Sequence, residues 1–596
     1  MINLAISASQ LDEALNVDER YKVCKSMAAG YANSIKTDDK RLDQARLFCH
    51  EIVSSFWTQI CTYNKVKLDI KQAPHFRRGL TLPVDAKRLA IETGKIIAAF
   101  PAQDVPFLVG SIYTAMMPTQ LRSQMGAYYT PPPLVDRLLE LAESAGFNFT
   151  KSSLIDPSCG GGAFLVAAAI RLWEANRNSN SKFIFKKVST QLKGIELDPF
   201  SAWIARVTLE SALLPLCISA NSRLPDDIVV TGDALTTSNL GSFDLIIGNP
   251  PYGRVVLSKE LRTKYERSLY GHANLYGIFT DLALRIVKHN GIIAYLTPTS
   301  FLGGKYFMNL RHLITSQTTP VAFDFITDRD GVFEDVLQET MLTVFKVGQL
   351  SSIASVSTLT PKKMHSTKVE RIGTVQIPVG AQPWMIPRTT QDREILSAIQ
   401  HMPTRLKDLG YSVSTGQLVW NRFKPQLKTK LTASSLPLIW AESVTNSGFR
   451  FSAEKRNHLP FFEVRKIQKF LVTSKTCILV QRTTSIEQNR RLIAAVLPQD
   501  FIDEHNGVVV ENHLNMVVAE DSAALIPLTV VEALLNSYTL DQVFRCISGS
   551  VAVSAYELNN LPLPNVTQLN SLANSIKKGA SKEYIEKRIA SFYKDN

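Results

Sequence analysis

Asn249, Pro250, Pro251 and Tyr252 place an amide, a proline carbonyl and a phenol ring within four consecutive residues. That set suits a flat heterocycle bearing an exocyclic NH2 group. The N6 lone pair of adenine is delocalised into its ring, so alkylating N6 requires acceptors that draw both hydrogens away and localise the pair on nitrogen. Asn249 Oδ1 and the Pro250 carbonyl are two such acceptors, and the Tyr252 ring offers a stacking surface. An Asn-Pro turn with a packed tyrosine stays open as the alternative, because Asn-Pro pairs commonly initiate turns.

The elements around this turn must hold it in place. Ile246 and Ile247, with Phe243-Asp244-Leu245 before them, read as a buried strand that the consecutive prolines end, leaving Asn249 at the strand tip. Upstream, Leu154-Ile155-Asp156-Pro157-Ser158-Cys159-Gly160-Gly161-Gly162-Ala163-Phe164-Leu165 reads as strand, glycine-rich turn and helix. Glycines let the backbone approach a ligand, and the new helix presents free N–H groups. The turn is neither the dinucleotide G-x-G-x-x-G nor a phosphate-binding P-loop. Asp156 would repel phosphate and attract an ammonium group, which points to a cationic cofactor bearing an amino acid. In Leu192 to Pro199, Glu196 ends a second strand where an acid commonly accepts ribose hydroxyls, while Asp198 suits the next helix N-terminus. Ile228-Val229-Val230 leads to Asp233, placed for an adenine amino group. Ahead of them all, Thr130 reads as an N-cap with Pro131 at the first helical position, before the amphipathic run Leu134 to Ala145. Beyond them, Asn274 to Val287 reads as a helix, and Ile292–Leu296, Ala322–Ile326 and Thr340–Phe345 as further strands, with Phe333 in a connecting loop. Polar residues at four strand ends predict an α/β, doubly wound sheet with a ligand crevice.

A chain of 596 residues should hold two to four domains. We expect a helical N-terminal region over 1–120, a cofactor-binding catalytic domain over 121–350, a linker with short strands over 351–399 and a C-terminal domain over 400–596. The first of these shows no nuclease motif. No apolar run approaches a membrane span and no signal sequence opens the chain, so a cytoplasmic protein is expected. Seven cysteines lack C-x-x-C spacing and ten histidines lack ligand spacing, so neither a disulfide framework nor a metal is indicated. The net charge of +13 is concentrated: residues 401–500 hold 16 Lys/Arg against 6 Asp/Glu. Clustered basicity suggests a phosphate-rich partner. Basic residues interleaved with amides and aromatics single out Arg422, Lys424, Arg482, Arg490 and Arg491 as candidates for phosphate and base-edge contacts.

Taken in order, these motifs resemble the γ-class, Asn-Pro-Pro-Tyr adenine-N6 DNA methyltransferases of the TaqI type, found in restriction-modification systems, over roughly residues 122–565. The resemblance implies an S-adenosylmethionine-dependent methyltransferase fold followed by an α+β target-recognition domain. It implies cofactor contacts at Thr130, Asp156, Pro157, Ser158, Cys159, Glu196, Asp233 and Pro251, and a catalytic turn of Asn249, Pro250, Pro251 and Tyr252. The target adenine would be flipped out and stacked on Tyr252 and Phe333. Double-stranded DNA is the implied partner of a monomer with no membrane association, and a cognate restriction endonuclease is left open. The triple glycine Gly160–Gly162 and the long helical N-terminus depart from the compact family pattern. Cys159 reads as a small packing residue rather than a nucleophile. An RNA or protein-glutamine N-methyltransferase, or a DNA-binding modification subunit that needs a partner, stays open as an alternative.

Overall fold

The apolar run before Asn249 is a strand because both of its neighbours bury it. The computed structural model describes residues 16–77, 79–125, 129–327, 339–348, 353–363, 366–483, 489–520, 523–547 and 552–594. Among them the strands are β1 Leu154–Asp156, β2 Leu192–Glu196, β3 Val229–Thr231, β4 Phe243–Gly248, β5 Arg254–Val255, β6 Ala273–Asn274, β7 Val287–Pro298, β8 Thr318–Ile326, β9 Thr340–Val347, β10 Ile353–Lys363 and β11 Ser366–Gln376. Nine of these form one sheet in the order β11-β10-β8-β9-β7-β4-β1-β2-β3, with β5 and β6 paired separately. The pairs β3–β2, β2–β1, β1–β4 and β4–β7 are parallel, and β9 runs antiparallel to β8. Leu154, Ile155, Leu245, Ile246, Ile247, Ile292, Ile293 and Ala294 are all buried. Covered on both faces, such strands read as unbroken apolar runs rather than alternations. The strand order reverses between β1 and β4, which opens a crevice at their carboxyl ends.

The chain divides into two compact units, Met1–Thr297 with Leu313–Arg371, and Pro298–His312 with Ile372–Asn596. In the first, the helices α1 Val17–Asn33, α2 Asp38–Tyr63, α3 Val84–Ile97, α4 Val105–Met116 and α5 Thr119–Met125 precede the sheet. The helices α6 Pro132–Ser144, α7 Ala163–Ala175, α8 Ser181–Gln191 and α9 Pro199–Ala212 are interleaved with its first strands. The N-terminal helices are not set apart from it. Phe48, Ile52 and Phe56 of α2 and Ile112 and Tyr113 of α4 share one buried cluster with Phe200, Trp203, Ile204 and Val207 of α9. His50 stacks on Trp203 at 5.3 Å. Arg223 makes a bidentate pair with buried Glu210, at 2.8 Å on each oxygen.

The stretch expected to be a linker with short strands contains two strands of eleven residues, β10 and β11, which extend the sheet. In β10, Ala354, Val356 and Leu359 are buried, with Ser355 and Thr358 between them. Ser357 is buried as well, so the buried positions follow no strict period of two, and the small polar residues among them hide the strand from a hydropathy reading.

The second unit carries a four-stranded sheet (Tyr411–Thr415, Leu514–Ala519, Cys477–Gln481, Ala494–Leu497) and a five-stranded one (Leu427–Lys428, Phe461–Glu463, Ser435–Ile439, Val508–Val510, Val472–Thr473). Helices from Leu528 to Phe592 follow them. Buried Arg311 ties the 298–312 segment into this unit, its guanidinium donating to the carbonyls of Phe301, Gly304, Ala381 and Gln382. Among the described residues no single helix is long and apolar enough to cross a membrane.

Candidate active site

The tip of β4 lies against the tip of β1, and a glycine makes that possible. A Cβ on Gly248 would sit 2.6 Å from Asp156 Oδ1, a distance no side chain tolerates. Asp156, 1% exposed, therefore passes directly beneath the residue that precedes Asn249. Its Oδ1 accepts the Ser158 N–H at 3.0 Å. Burial pushes its carboxyl up to about 8, and the negative charge of Glu196 adds to the rise.

Asn249 is held from both sides. Its Nδ2 donates to Thr130 Oγ1 at 3.2 Å, and its Oδ1 accepts the Tyr252 hydroxyl at 2.7 Å. Tyr252 also lies 3.2 Å from the Leu296 carbonyl, and its ring meets Tyr276 edge-on with centroids 6.1 Å apart. Desolvation raises the Tyr252 phenol well above its ordinary value, so it stays a neutral donor. Because Thr130 takes the amide nitrogen, the amide oxygen is the polar atom turned to the other side. A carbonyl oxygen has two lone pairs, and Tyr252 occupies one.

Thr130 earns this role by not being a helix cap. Helix α6 begins at Pro132 with Pro131 in the cap position and no capping side chain, whereas the sequence pattern placed Thr130 at the cap. Successive prolines supply the helix start through their fixed φ and absent N–H groups, so no hydroxyl is needed there. The Thr130 side chain, 4% exposed, faces Asn249 instead.

The remaining cofactor candidates line the neighbouring strand ends. Glu196 at the tip of β2 accepts from the Gly160 N–H and the Asp198 N–H, both at 2.9 Å. Burial pushes it up to about 7. Asp233 accepts from the Leu235 N–H at 2.9 Å. Pro157 is buried, and Pro251 is half-buried within the Asn249–Tyr252 turn. Cys159 packs inward: a Cβ on Gly194 would come within 3.0 Å of its Sγ. Burial raises this thiol well above its ordinary value, which suits packing and not nucleophilic attack. In the glycine turn, Gly160 and Gly162 hold positive φ of 52° and 91°. A Cβ on Gly161 would lie 2.7 Å from the ring of Tyr129, so that ring covers the turn.

Arg46 carries no local sequence signal for a role at the site. It reaches from α2 to Asp198 at 2.8 Å, and Asp198 also caps α9 through the Ser201 N–H at 3.1 Å. The backbone N–H of the same Asp198 holds Glu196. The N-terminal helices thus brace the acidic turn after β2, a link that no local motif encodes.

Phe333, and Gly126, Ala127 and Tyr128 of the turn before Thr130, lie outside the described residues. Among the basic candidates, Arg422 and Lys424 are exposed, with Lys424 Nζ 5.7 Å from the Trp420 ring centroid. Arg482 is half-buried and donates to the Asn512 carbonyl at 3.1 Å. Arg490 lies over the Tyr538 ring at 5.1 Å. Arg491 is 6% exposed, with its backbone N–H on Asp541. The structure therefore takes Arg491 out of the exposed basic set, because a phosphate contact needs an accessible guanidinium.

A doubly wound sheet in this order, with a glycine-rich turn and acids at its strand tips, is the fold of S-adenosylmethionine-dependent methyltransferases, and fold and homologues together imply S-adenosylmethionine as the cofactor. Residues 190–333 match the family described as Eco57I restriction-modification methylase. The chain is 24% identical over 464 residues to the Type II methyltransferase M.BsuBI of Bacillus subtilis, covering 76% of this chain and 90% of that protein. It is 26% identical over 347 residues to the Type II methyltransferase M.PstI of Providencia stuartii, covering 56% of this chain and 68% of that one. Among solved structures it is similar to the Type IIL restriction-modification enzyme MmeI in complex with DNA, at 13% identity and a TM-score of 0.55, covering 98% of this chain and 96% of that chain.

The site fits that cofactor on its own observations. Ser158 Oγ beside Asp156 is buried with no hydrogen-bond partner among the described residues. A Cβ on Gly160 or on Gly232 would meet open space. Two carboxyls whose burial disfavours their charge sit in the same crevice, and a cation would relieve both.

Proposed function

We propose that this chain is a sequence-specific DNA adenine-N6 methyltransferase, the modification enzyme of a restriction-modification or related defence system. The observation that carries the reading is the Asn249 amide, oriented by Thr130 and Tyr252 at the tip of β4 and separated from Asp156 only by Gly248. The Type II methyltransferases among its relatives support a DNA substrate.

Bound S-adenosylmethionine supplies an electrophilic methyl group. Asp156, Ser158 and Glu196 would hold the cofactor, through an ammonium contact, a hydroxyl contact and a ribose contact respectively. The free lone pair of Asn249 Oδ1 and the Pro250 carbonyl accept the two N6 hydrogens, which localises the nitrogen lone pair and aims it. Positioning is then the main source of rate, since the methylated N6 carries a strongly acidic proton that water or the same acceptors can take and no strong base is required. An adenine inside a duplex cannot reach this turn and must leave the stack, at a cost of a few kcal/mol. Stacking on Tyr252 offsets part of that cost, at roughly 1–3 kcal/mol per base. The test is transfer of labelled methyl from S-adenosylmethionine to a panel of duplexes, followed by mapping of the modified base. Label on adenine N6 at one recurring sequence is the expected result. Label on RNA, on protein or on cytosine would reject the reading.

A further inference from the structure

Within the second unit, the segment Arg465–Leu471 departs from how a soluble surface is usually built. It forms two short 3-10 turns across a kink at Gln468, and only Gln468 and Leu471 are buried. Ile467 is 85% exposed and Phe470 is 68% exposed, yet they are two large apolar side chains three residues apart. Lys466 and Lys469 alternate with them and are also exposed. The kink turns the Gln468 amide inward, where its Oε1 accepts from Gln426 Nε2 at 2.7 Å and its Nε2 donates to Gln426 Oε1 at 3.3 Å. Gln426 closes the segment that carries Arg422 and Lys424, so this buried amide pair joins the two segments side by side. No ion pair among the described residues engages Arg422, Lys424, Lys466 or Lys469.

Cations held apart from carboxylates bind a polyanion, and apolar side chains standing among them need a partner with apolar surface behind its charge. Duplex DNA has both, in its phosphates and in the stacked bases and thymine methyls of its grooves. Proteins that deform DNA commonly press apolar side chains against base steps while basic residues hold the backbone. We propose that the joined segments form a duplex-contacting knob, in which Ile467 and Phe470 press against the bases and Arg422, Lys424, Lys466 and Lys469 hold phosphates. The proposal rests on the DNA-directed function given above.

The two halves of the knob leave different signatures in duplex binding. Using the full chain and a mixed-sequence fluorescent duplex, affinities would be measured at several salt concentrations for wild type, for Ile467→Ser with Phe470→Ser, and for Lys466→Gln with Lys469→Gln. The apolar variant should lose about tenfold or more in affinity with its salt slope intact. The charge variant should lower the slope of log K against log salt by about 1.8, at roughly 0.9 per phosphate contact. All four side chains are exposed, so the fold should survive, and an unchanged thermal unfolding profile of the full chain would verify it. Wild-type duplex affinity in the apolar variant overturns the proposal. So does a loss seen only on anionic phospholipid vesicles or only in self-association, which would reassign the patch. If wild type itself neither binds nor methylates duplex, the functional reading fails first; if it does both and the apolar variant matches it, only the knob is wrong.

Discussion

Acidification should weaken S-adenosylmethionine binding, and the size of the effect can be worked from two carboxyls. Burial places Asp156 at about 8 and Glu196 at about 7, so the unliganded chain carries protons on both at pH 6. A cationic cofactor favours their ionised forms and expels those protons. Each proton released makes affinity rise about tenfold per pH unit below the group's own value. From pH 8 to pH 6 the loss is then about 50-fold if Asp156 alone releases its proton and about 500-fold if Glu196 does so as well. The pair's effect on folding has the opposite sign. Both carboxyls are raised in the folded chain, so their stability contribution is full below the unfolded values near 4 and is lost as pH climbs through 7 and 8. Cofactor affinity and this part of the unliganded stability should therefore move in opposite directions with pH. Titration calorimetry in two buffers of different ionisation enthalpy counts the protons directly. Asp156→Asn should cut the slope to the share of Glu196. A wild-type affinity that is flat from pH 6 to pH 8, with no proton release, would refute the reasoning.

Four substitutions test the geometry of the turn. Asn249→Ala should lower kcat by about 100-fold or more while sparing S-adenosylmethionine binding, because it removes an acceptor needed in the reacting complex; turnover near wild type would remove the proposed mechanism. Tyr252→Phe keeps the ring and loses the bond to Asn249, and Thr130→Val loses the other anchor. Each should cost about tenfold in kcat with little change in KM, and single-turnover rates would separate that from an effect on binding. Gly248→Ala forces a methyl group onto Asp156 Oδ1. It should weaken cofactor binding by about tenfold through the displaced carboxyl, since overpacked sites relax at a cost of roughly 1–3 kcal/mol; calorimetry showing wild-type affinity would mean that β1 and β4 separate freely.

The sequence exposes what is local and hides what is assembled. The strand tips at Asp156, Glu196 and Asn249 were legible because a buried parallel strand is an unbroken apolar run and a glycine or proline marks its end. The cap reading of Thr130 failed because a threonine before prolines satisfies a local rule equally well whether its hydroxyl caps the helix or reaches across to Asn249, 119 residues away in the chain. Arg46 was invisible for the same reason, as it acts through Asp198, which is 152 residues distant. The long strands β10 and β11 escape a hydropathy reading because Ser and Thr stand among the buried apolar residues of β10 and the exposed Lys368, Glu370 and Arg371 fill much of β11, which blunts any alternation without preventing the pairing.

Gly248 has a role in the fold that its local sequence does not encode. In sequence it is a strand-ending glycine, and any turn residue would serve that reading. In the structure its missing Cβ is the space through which the Asp156 carboxyl lies against the tip of β4. The glycine-rich turn after β1 and the Asn249–Tyr252 turn after β4 are thereby held within a side chain's width of each other, while the Thr130 hydroxyl and the Tyr252 phenol fix how the Asn249 amide is turned. Methyl transfer demands that donor and acceptor meet in line at contact distance. On the proposed mechanism a glycine at 248 is a requirement of that geometry, and its substitution should lower cofactor binding before it damages the sheet.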